Sequence, residues 1–183
     1  MDGAEAPRMS SFRKADVYFS HGKESGPNGT KIQCLSKIAE KFGCNVSSID
    51  YTDTMDAEIR VSRLNKILQD RKTDREFILV GSSMGSYVSL VAAKTNKPLG
   101  LFLLAPAVYI IGFQEQDYPI LLNVEIVHGW RDEIIPYELS IRYARESKCA
   151  LHLIDGDHRL NTSISIIEGI FENFLSRILK EEI

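Results

Sequence analysis

The sequence predicts a doubly wound α/β fold: a mostly parallel sheet of about six strands with helices on both faces. Three observations predict it. Short β-branched or apolar runs recur along the chain, segments with apolar residues at helical spacing follow them, and Gly, Pro, Asn and Asp punctuate the changes. Such alternation joins parallel strands by right-handed crossovers, and no internal repeat or low-complexity tract interrupts it.

ADVYFS (15–20) reads as the first strand and ends at His21-Gly22, before the Gly- and Pro-containing loop GKESGPNG. The helix that follows places Ile32, Leu35, Ile38, Ala39 and Phe42 on one stripe and stops at Gly43. NVSSIDY (45–51) is a weaker strand. A second helix begins at Asp56, with Ile59, Leu64, Ile67 and Leu68 expected to face inward. FILVG (77–81) is the strongest buried strand, and SYVSLVAAK a helix directly after it. LGLFLLAP (99–106) is a further strand halted by Pro106, and AVYIIGFQEQDYPILL, which has no clear period, reads as an aromatic-containing loop. VEIVHG (124–129) is a strand, PYELSIRYARES a helix with Pro136 near its first turn, and CALHLID (149–155) the last strand. After the loop GDHRLNT, a final helix from Ser163 is expected to bury Ile166, Ile167, Ile170, Phe171, Phe174 and Leu175.

The 183 residues fit one domain, 13–183, preceded by a leader over 1–12 expected to be disordered, with Met1 or Met9 as the start. At 44% hydrophobic and 26% charged, the composition is that of an ordinary globular protein. Net charge is −3, and the Lys and Arg residues are mixed with acids along helical faces, so no basic stripe marks a nucleic-acid partner. No apolar run has the length of a membrane span, and the N-terminus has no apolar signal-peptide centre; a cytoplasmic location is expected. The cysteines Cys34, Cys44 and Cys149 are odd in number and lack CxxC spacing, which argues against a disulfide framework or a zinc site, and Cys34 and Cys149 are expected to be buried.

In a doubly wound sheet, ligands bind beyond the carboxyl ends of the strands, so the residues just after each strand carry the functional reading. GSSMG (81–85) joins a buried strand to a helix and matches G-x-S-x-G, a tight turn that lifts the hydroxyl of Ser83 clear of the sheet. Gly81 and Gly85 keep side chains out of the contact between the turn and its neighbours, and the Met84 N–H is placed to meet an oxyanion. The alternative is an ordinary or phosphate-binding turn, but no Walker lysine follows Gly85 and GxGxxG is absent.

A serine hydroxyl needs a base, and a base needs an orienting carboxylate. Of the four histidines, His158 lies in the loop after the last strand, where the base belongs; His152 is within a strand, His128 ends one, and His21 precedes the serine in the chain. Asp132, three residues beyond Gly129, leads as the acid, with Glu133, Asp155 and Asp157 as rivals; the last two suit local loop shaping. The loop after the first strand offers a second oxyanion donor, the Lys23 N–H, while His21 there can serve as a purely structural turn residue. Tyr109, Phe113, Tyr118, Trp130 and Ile134 are candidate walls of an apolar substrate pocket, and Lys23 and Arg131 either surface charge or a lure for an anionic substrate tail.

SHGKESG, VGSSMGSY, VHGWRDEIIP and DGDHRLN, in this order, resemble the α/β-hydrolase superfamily, and more narrowly its small single-domain bacterial serine hydrolases of the YqiA-like esterase type. The resemblance runs from about residue 15 to about residue 178 and implies Ser83 as nucleophile, Asp132 as acid, His158 as base and the amides of Met84 and Lys23 as oxyanion hole. It implies hydrolysis of a small-molecule carboxylic ester or thioester with no metal or organic cofactor. The same three residues also serve amidases and peptidases, and a non-catalytic binding protein can keep the shell. Against larger relatives the chain is expected to lack two N-terminal strands and a helical lid, and the Lys23-Glu24 pair and Ser82 depart from the commonest lipase sequences.

Overall fold

The computed structural model describes residues 12–180. Its six strands are β1 (Ala15–Ser20), β2 (Asn45–Ile49), β3 (Glu76–Ser82), β4 (Gly100–Leu104), β5 (Val124–Gly129) and β6 (Ala150–Ile154), and its helices are α1 (Thr30–Lys41), α2 (Ala57–Gln69), α3 (Met84–Asn96), α4 (Tyr137–Ser147) and α5 (Ile164–Leu179). The sheet is parallel throughout, in the order β2-β1-β3-β4-β5-β6. The chain winds outward first one way and then the other from β1, so the loops after β1 and β3 part at the switch point and leave a crevice.

Period-two alternation divides the central strands between two apolar layers. Phe77 and Leu79 of β3 and Leu101 and Leu103 of β4 pack with α2, α3 and α4; Ile78, Val80, Phe102 and Leu104 pack with α1 and α5. Phe102 sits against Phe171 and Phe174 at 4.9 and 5.4 Å between ring centroids. Both faces being covered explains why FILV and LFLL read as continuous apolar runs rather than alternating ones.

Helix α2 starts at Asp56, whose carboxylate accepts from the N–H groups of Glu58 and Ile59. From that cap the buried stripe falls on Ala57, Arg60, Val61, Leu64 and Leu68. Ile59, expected inward, is half exposed, and the arginine beside it is fully covered instead. Ile166 of α5 likewise faces outward, because the stripe through Ile167, Phe171, Phe174, Leu175 and Ile178 leaves it on the far side. Of the three free thiols only Cys44 is buried; Cys34 and Cys149 are partly exposed.

Residues 105–123, between β4 and β5, contain no helix or strand, so no helical lid covers the strand ends. The leader expected over 1–12 lies outside the described residues except Phe12, which bridges Lys180 and packs edge-on against Phe42. Among the described residues, no helix is long and apolar enough to cross a membrane.

Candidate active site

Ser83 connects β3 to α3 with φ 55° and ψ −119°, backbone geometry that costs a non-glycine residue on the order of 1–3 kcal/mol. The surroundings hold it there: its N–H donates to Leu104 O (2.8 Å), and its carbonyl accepts from Ser86 and Ala107 (3.0 and 3.2 Å). The flanking glycines are steric requirements. A Cβ on Gly85 would lie 1.9 Å from Ser20 O, and one on Gly81 would lie 2.5 Å from Gly85 O.

Three of the side chains named from the sequence form one hydrogen-bonded chain. Ser83 Oγ lies 3.0 Å from His158 Nε2, and His158 Nδ1 lies 2.7 Å from Asp132 Oδ2. His158 comes from the loop after β6 and Asp132 from the loop after β5. These two loops touch so closely that a Cβ on Gly129 would meet Gly156 O at 2.2 Å. The Asp132 side chain is completely covered, and burial by itself would raise its pKa. The N–H of Ile135, the imidazole of His158 and the N–H of Ile134 outweigh that and hold it below the ordinary carboxylate value. An ionised Asp132 accepts from His158 Nδ1–H, which leaves the Nε2 lone pair facing the serine hydroxyl.

Two of the three rivals for the acid, Asp155 and Asp157, are occupied elsewhere. Asp155 pairs with Arg131 at the surface (2.8 Å), and Asp157 accepts from the Leu160 N–H (2.8 Å) within its own loop. His152, on the edge strand β6, bonds Glu125 at 2.7 Å.

Two further histidines are held neutral. His21 Nε2 accepts from the Tyr51 N–H (3.0 Å), so its proton sits on Nδ1 and is donated to Gly22 O (2.8 Å). His128 Nε2 faces two acceptors, Asp132 Oδ2 (2.9 Å) and Ile135 O (3.1 Å), and therefore carries the proton, while Nδ1 accepts from the Ser140 hydroxyl (2.7 Å). Burial lowers the pKa of both. Sequence reasoning gave His128 no role beside Asp132; the signal was its place four residues ahead, at the end of the same strand.

A cavity of about 490 Å³ opens over Ser83. Gly22, Lys23, Ser83, Met84 and His158 form its reactive end, and Ile32, Ile110, Phe113, Ile134 and Ile135 give it apolar walls. Of the five residues expected to line it, Phe113 and Ile134 do so. Tyr109, Tyr118 and Trp130 are not among its walls. Tyr109 turns toward α4, where its hydroxyl bonds Glu146 (2.5 Å) and Arg142 covers its ring. Tyr118 is buried under Tyr109, donating to Glu115 O and accepting from the Tyr109 N–H. Trp130 is half exposed and packs on Tyr137.

Lys23, Lys31 and Arg159 border the cavity; Arg131 does not. Lys31 Nζ donates to Arg159 O, and burial pulls its pKa down to about 8. Among the described residues, no group of three or more His, Cys, Asp or Glu side chains is gathered as a metal site.

Several solved structures share this architecture. A Xanthomonas campestris pv. campestris protein assigned to the alpha/beta hydrolase superfamily superposes with a TM-score of 0.83 at 29% identity, over 90% of this chain and 99% of the other. A second X. campestris protein, an a/b serine hydrolase without a lid, gives 0.78 at 16% identity over 97% and 88%. Est1E from Butyrivibrio proteoclasticus gives 0.72 at 16% identity over 93% and 90%. No curated protein matches the chain. Residues 17–118, more than half of the sequence, match the uncharacterised protein family UPF0227. The chain belongs to the uncharacterised protein family UPF0227 and is built on a minimal α/β-hydrolase fold without a lid.

Proposed function

We propose that the protein is a cytoplasmic serine hydrolase that cleaves a small-molecule carboxylic ester or thioester through an acyl-enzyme intermediate. The observation that carries this reading is the Ser83–His158–Asp132 hydrogen-bond chain at the reactive end of a cavity with apolar walls. Structural likeness to proteins assigned to the α/β-hydrolase superfamily supports the reaction class. The three free thiols suit a reducing compartment.

In the proposed reaction His158 Nε2 takes the Ser83 proton while Oγ attacks the acyl carbonyl. The resulting oxyanion accepts from the N–H groups of Met84 and Lys23, each worth about 10²–10³ in kcat where such donors have been removed. On collapse of the adduct, the imidazolium protonates the leaving alcohol or thiol, and the acyl group stays on Oγ. A water deprotonated by the same imidazole then releases the carboxylic acid and restores the hydroxyl. Asp132 remains ionised throughout, fixing the imidazole tautomer and offsetting its positive charge.

Fluorophosphonate labelling combined with p-nitrophenyl esters and acyl thioesters of graded chain length tests the proposal. Wild type should label and turn over, and Ser83→Ala should do neither while still folding. Turnover undiminished in Ser83→Ala rules the reading out. Labelling without ester or thioester turnover favours amide substrates, and folded wild type that does not label favours a binding protein.

A further inference from the structure

Among the described residues Arg60 is the largest fully buried side chain, yet no carboxylate there pairs with it. Its acceptors are neutral carbonyls from three stretches of backbone. Nη1 donates to His21 O and Gly22 O at 3.2 and 3.1 Å. Nη2 donates to Thr54 O at 2.8 Å and reaches Lys23 O and Tyr51 O at 3.3 Å; Nε donates to Thr54 O at 3.0 Å. The residue lies in the opening turns of α2, where the helix dipole disfavours a cation. A buried charge with no counter-ion at a helix N-terminus is a poor device for stability alone.

The peptide plane supplies its use. Gly22 C=O and Lys23 N–H belong to one trans peptide and point in opposite directions. Arg60 Nη1 and His21 Nδ1 both hold that carbonyl, at 3.1 and 2.8 Å, so the amide on the other edge of the plane is aimed away from them. Gly22 and Lys23 border the cavity together with Ser83 and Met84. We infer that Arg60 is a positioning residue that aims the Lys23 amide at the oxyanion, by clamping the carbonyls of residues 21–23 from behind. The inference rests on the hydrolase reading above.

Lysine cannot reproduce the clamp, since a single ammonium has neither the reach nor the planar fork to serve carbonyls in three segments. The test compares wild type and Arg60→Lys on p-nitrophenyl butyrate, counting active sites by fluorophosphonate titration. Per titrated serine, kcat should fall about 10- to 100-fold while KM stays within about 2-fold, the signature of an interaction made in the transition state. The affinity of a trifluoromethyl ketone, which forms an oxyanion adduct with the serine, should fall in step with kcat/KM.

A residue that only stabilised the fold would lower the melting temperature or the fraction of titratable protein and leave kcat per titrated serine at the wild-type value. That result overturns the inference. Should Arg60→Lys not fold, His21→Phe removes the shortest of the three donors to the Gly22 carbonyl, leaving Arg60 and the longer contact from the Ser25 hydroxyl (3.4 Å), and should also lower kcat; wild-type kcat per site in that variant overturns the inference equally. Wild type that neither labels nor hydrolyses sinks the hydrolase reading itself, an outcome distinct from a labelled variant with unchanged kcat.

Discussion

His128 and His158 hydrogen-bond the same carboxylate oxygen, Oδ2 of Asp132, at 2.9 and 2.7 Å. The other oxygen accepts from the N–H groups of Ile134 and Ile135 at 2.9 and 2.8 Å. Four donors thus meet the four lone-pair sites of a carboxylate that no solvent reaches. In Asp132→Asn the amide NH2 meets two N–H donors whichever way it is turned, and turned toward the histidines it drives the His158 proton from Nδ1 onto Nε2. Under the proposed mechanism kcat should fall about 10³- to 10⁴-fold with little change in fold. Ester hydrolysis and circular dichroism on the same preparation check this.

His128 secures the carboxylate at the same oxygen as His158. Its Nε2–H is bonded to Asp132 and Ile135 O, and its Nδ1 to Ser140, so the imidazole has no freedom to exchange tautomers. His128→Phe keeps the ring's approximate shape and strips one donor from a buried anion, together with the partner of a buried hydroxyl. Loss of a hydrogen bond to a charged group costs about 1.5–3 kcal/mol, and urea denaturation should register a loss in that range. Ser140→Ala removes only the neutral contact and should cost about 1 kcal/mol. Equal losses in the two variants would show that the contact to Asp132 carries no extra weight.

How much of this was legible in the sequence depends on how local the cause is. G-x-S-x-G lies within five residues, and its steric reason, Gly85 against Ser20 O, needs only the pairing of β1 with β3. Strand FILV and its partner LFLL announce burial on both faces through composition alone. Arg60 was invisible because its acceptors come from residues 21–23, 51 and 54, and only the fold brings them to one point. A charged residue beside Ile59 reads as the solvent side of a helix until that point exists. Tyr109, Tyr118 and Phe113 share one aperiodic loop, and nothing in their spacing says which ring turns to the cavity. Glu146 and Arg142, on a helix downstream, settle it for Tyr109.

The backbone at Ser83 makes a separate stability prediction. With φ at 55°, the residue holds a conformation that glycine adopts freely and alanine does not. Ser83→Gly and Ser83→Ala should both lack turnover under the proposed mechanism. The glycine variant should nonetheless be the more stable of the two by about 1–2 kcal/mol, less the unfolded-state entropy that glycine adds. Paired denaturant titrations decide it, and an alanine variant that matches or exceeds glycine would show that the elbow stores no strain.

The two neutral histidines set how stability depends on pH. His21 and His128 have pKa values lowered from 6.5, chiefly by burial. Unfolding exposes both and returns them to about 6.5, so below that pH the unfolded chain binds protons that the native state refuses. Where the unfolded state binds more protons, stability rises with pH; it therefore falls as the solution is acidified through 6.5, and the histidines' contribution to the slope vanishes above it. Each histidine contributes up to about 1.4 kcal/mol per pH unit in that window. The lowered pKa values of Asp132, Asp50 and Asp53, and of Glu115 and Glu146, act in the same sense but chiefly near and below their ordinary values of 3.8 and 4.5, so acidification from 6.5 to 5 is dominated by the histidines. Urea midpoints across pH 5–7.5 should trace this slope in wild type and a shallower one in His128→Phe. A flat profile between 5 and 6.5 would mean that both imidazoles accept a proton inside the folded protein, against the hydrogen bonds that Tyr51 N–H and Ser140 make to their bare nitrogens.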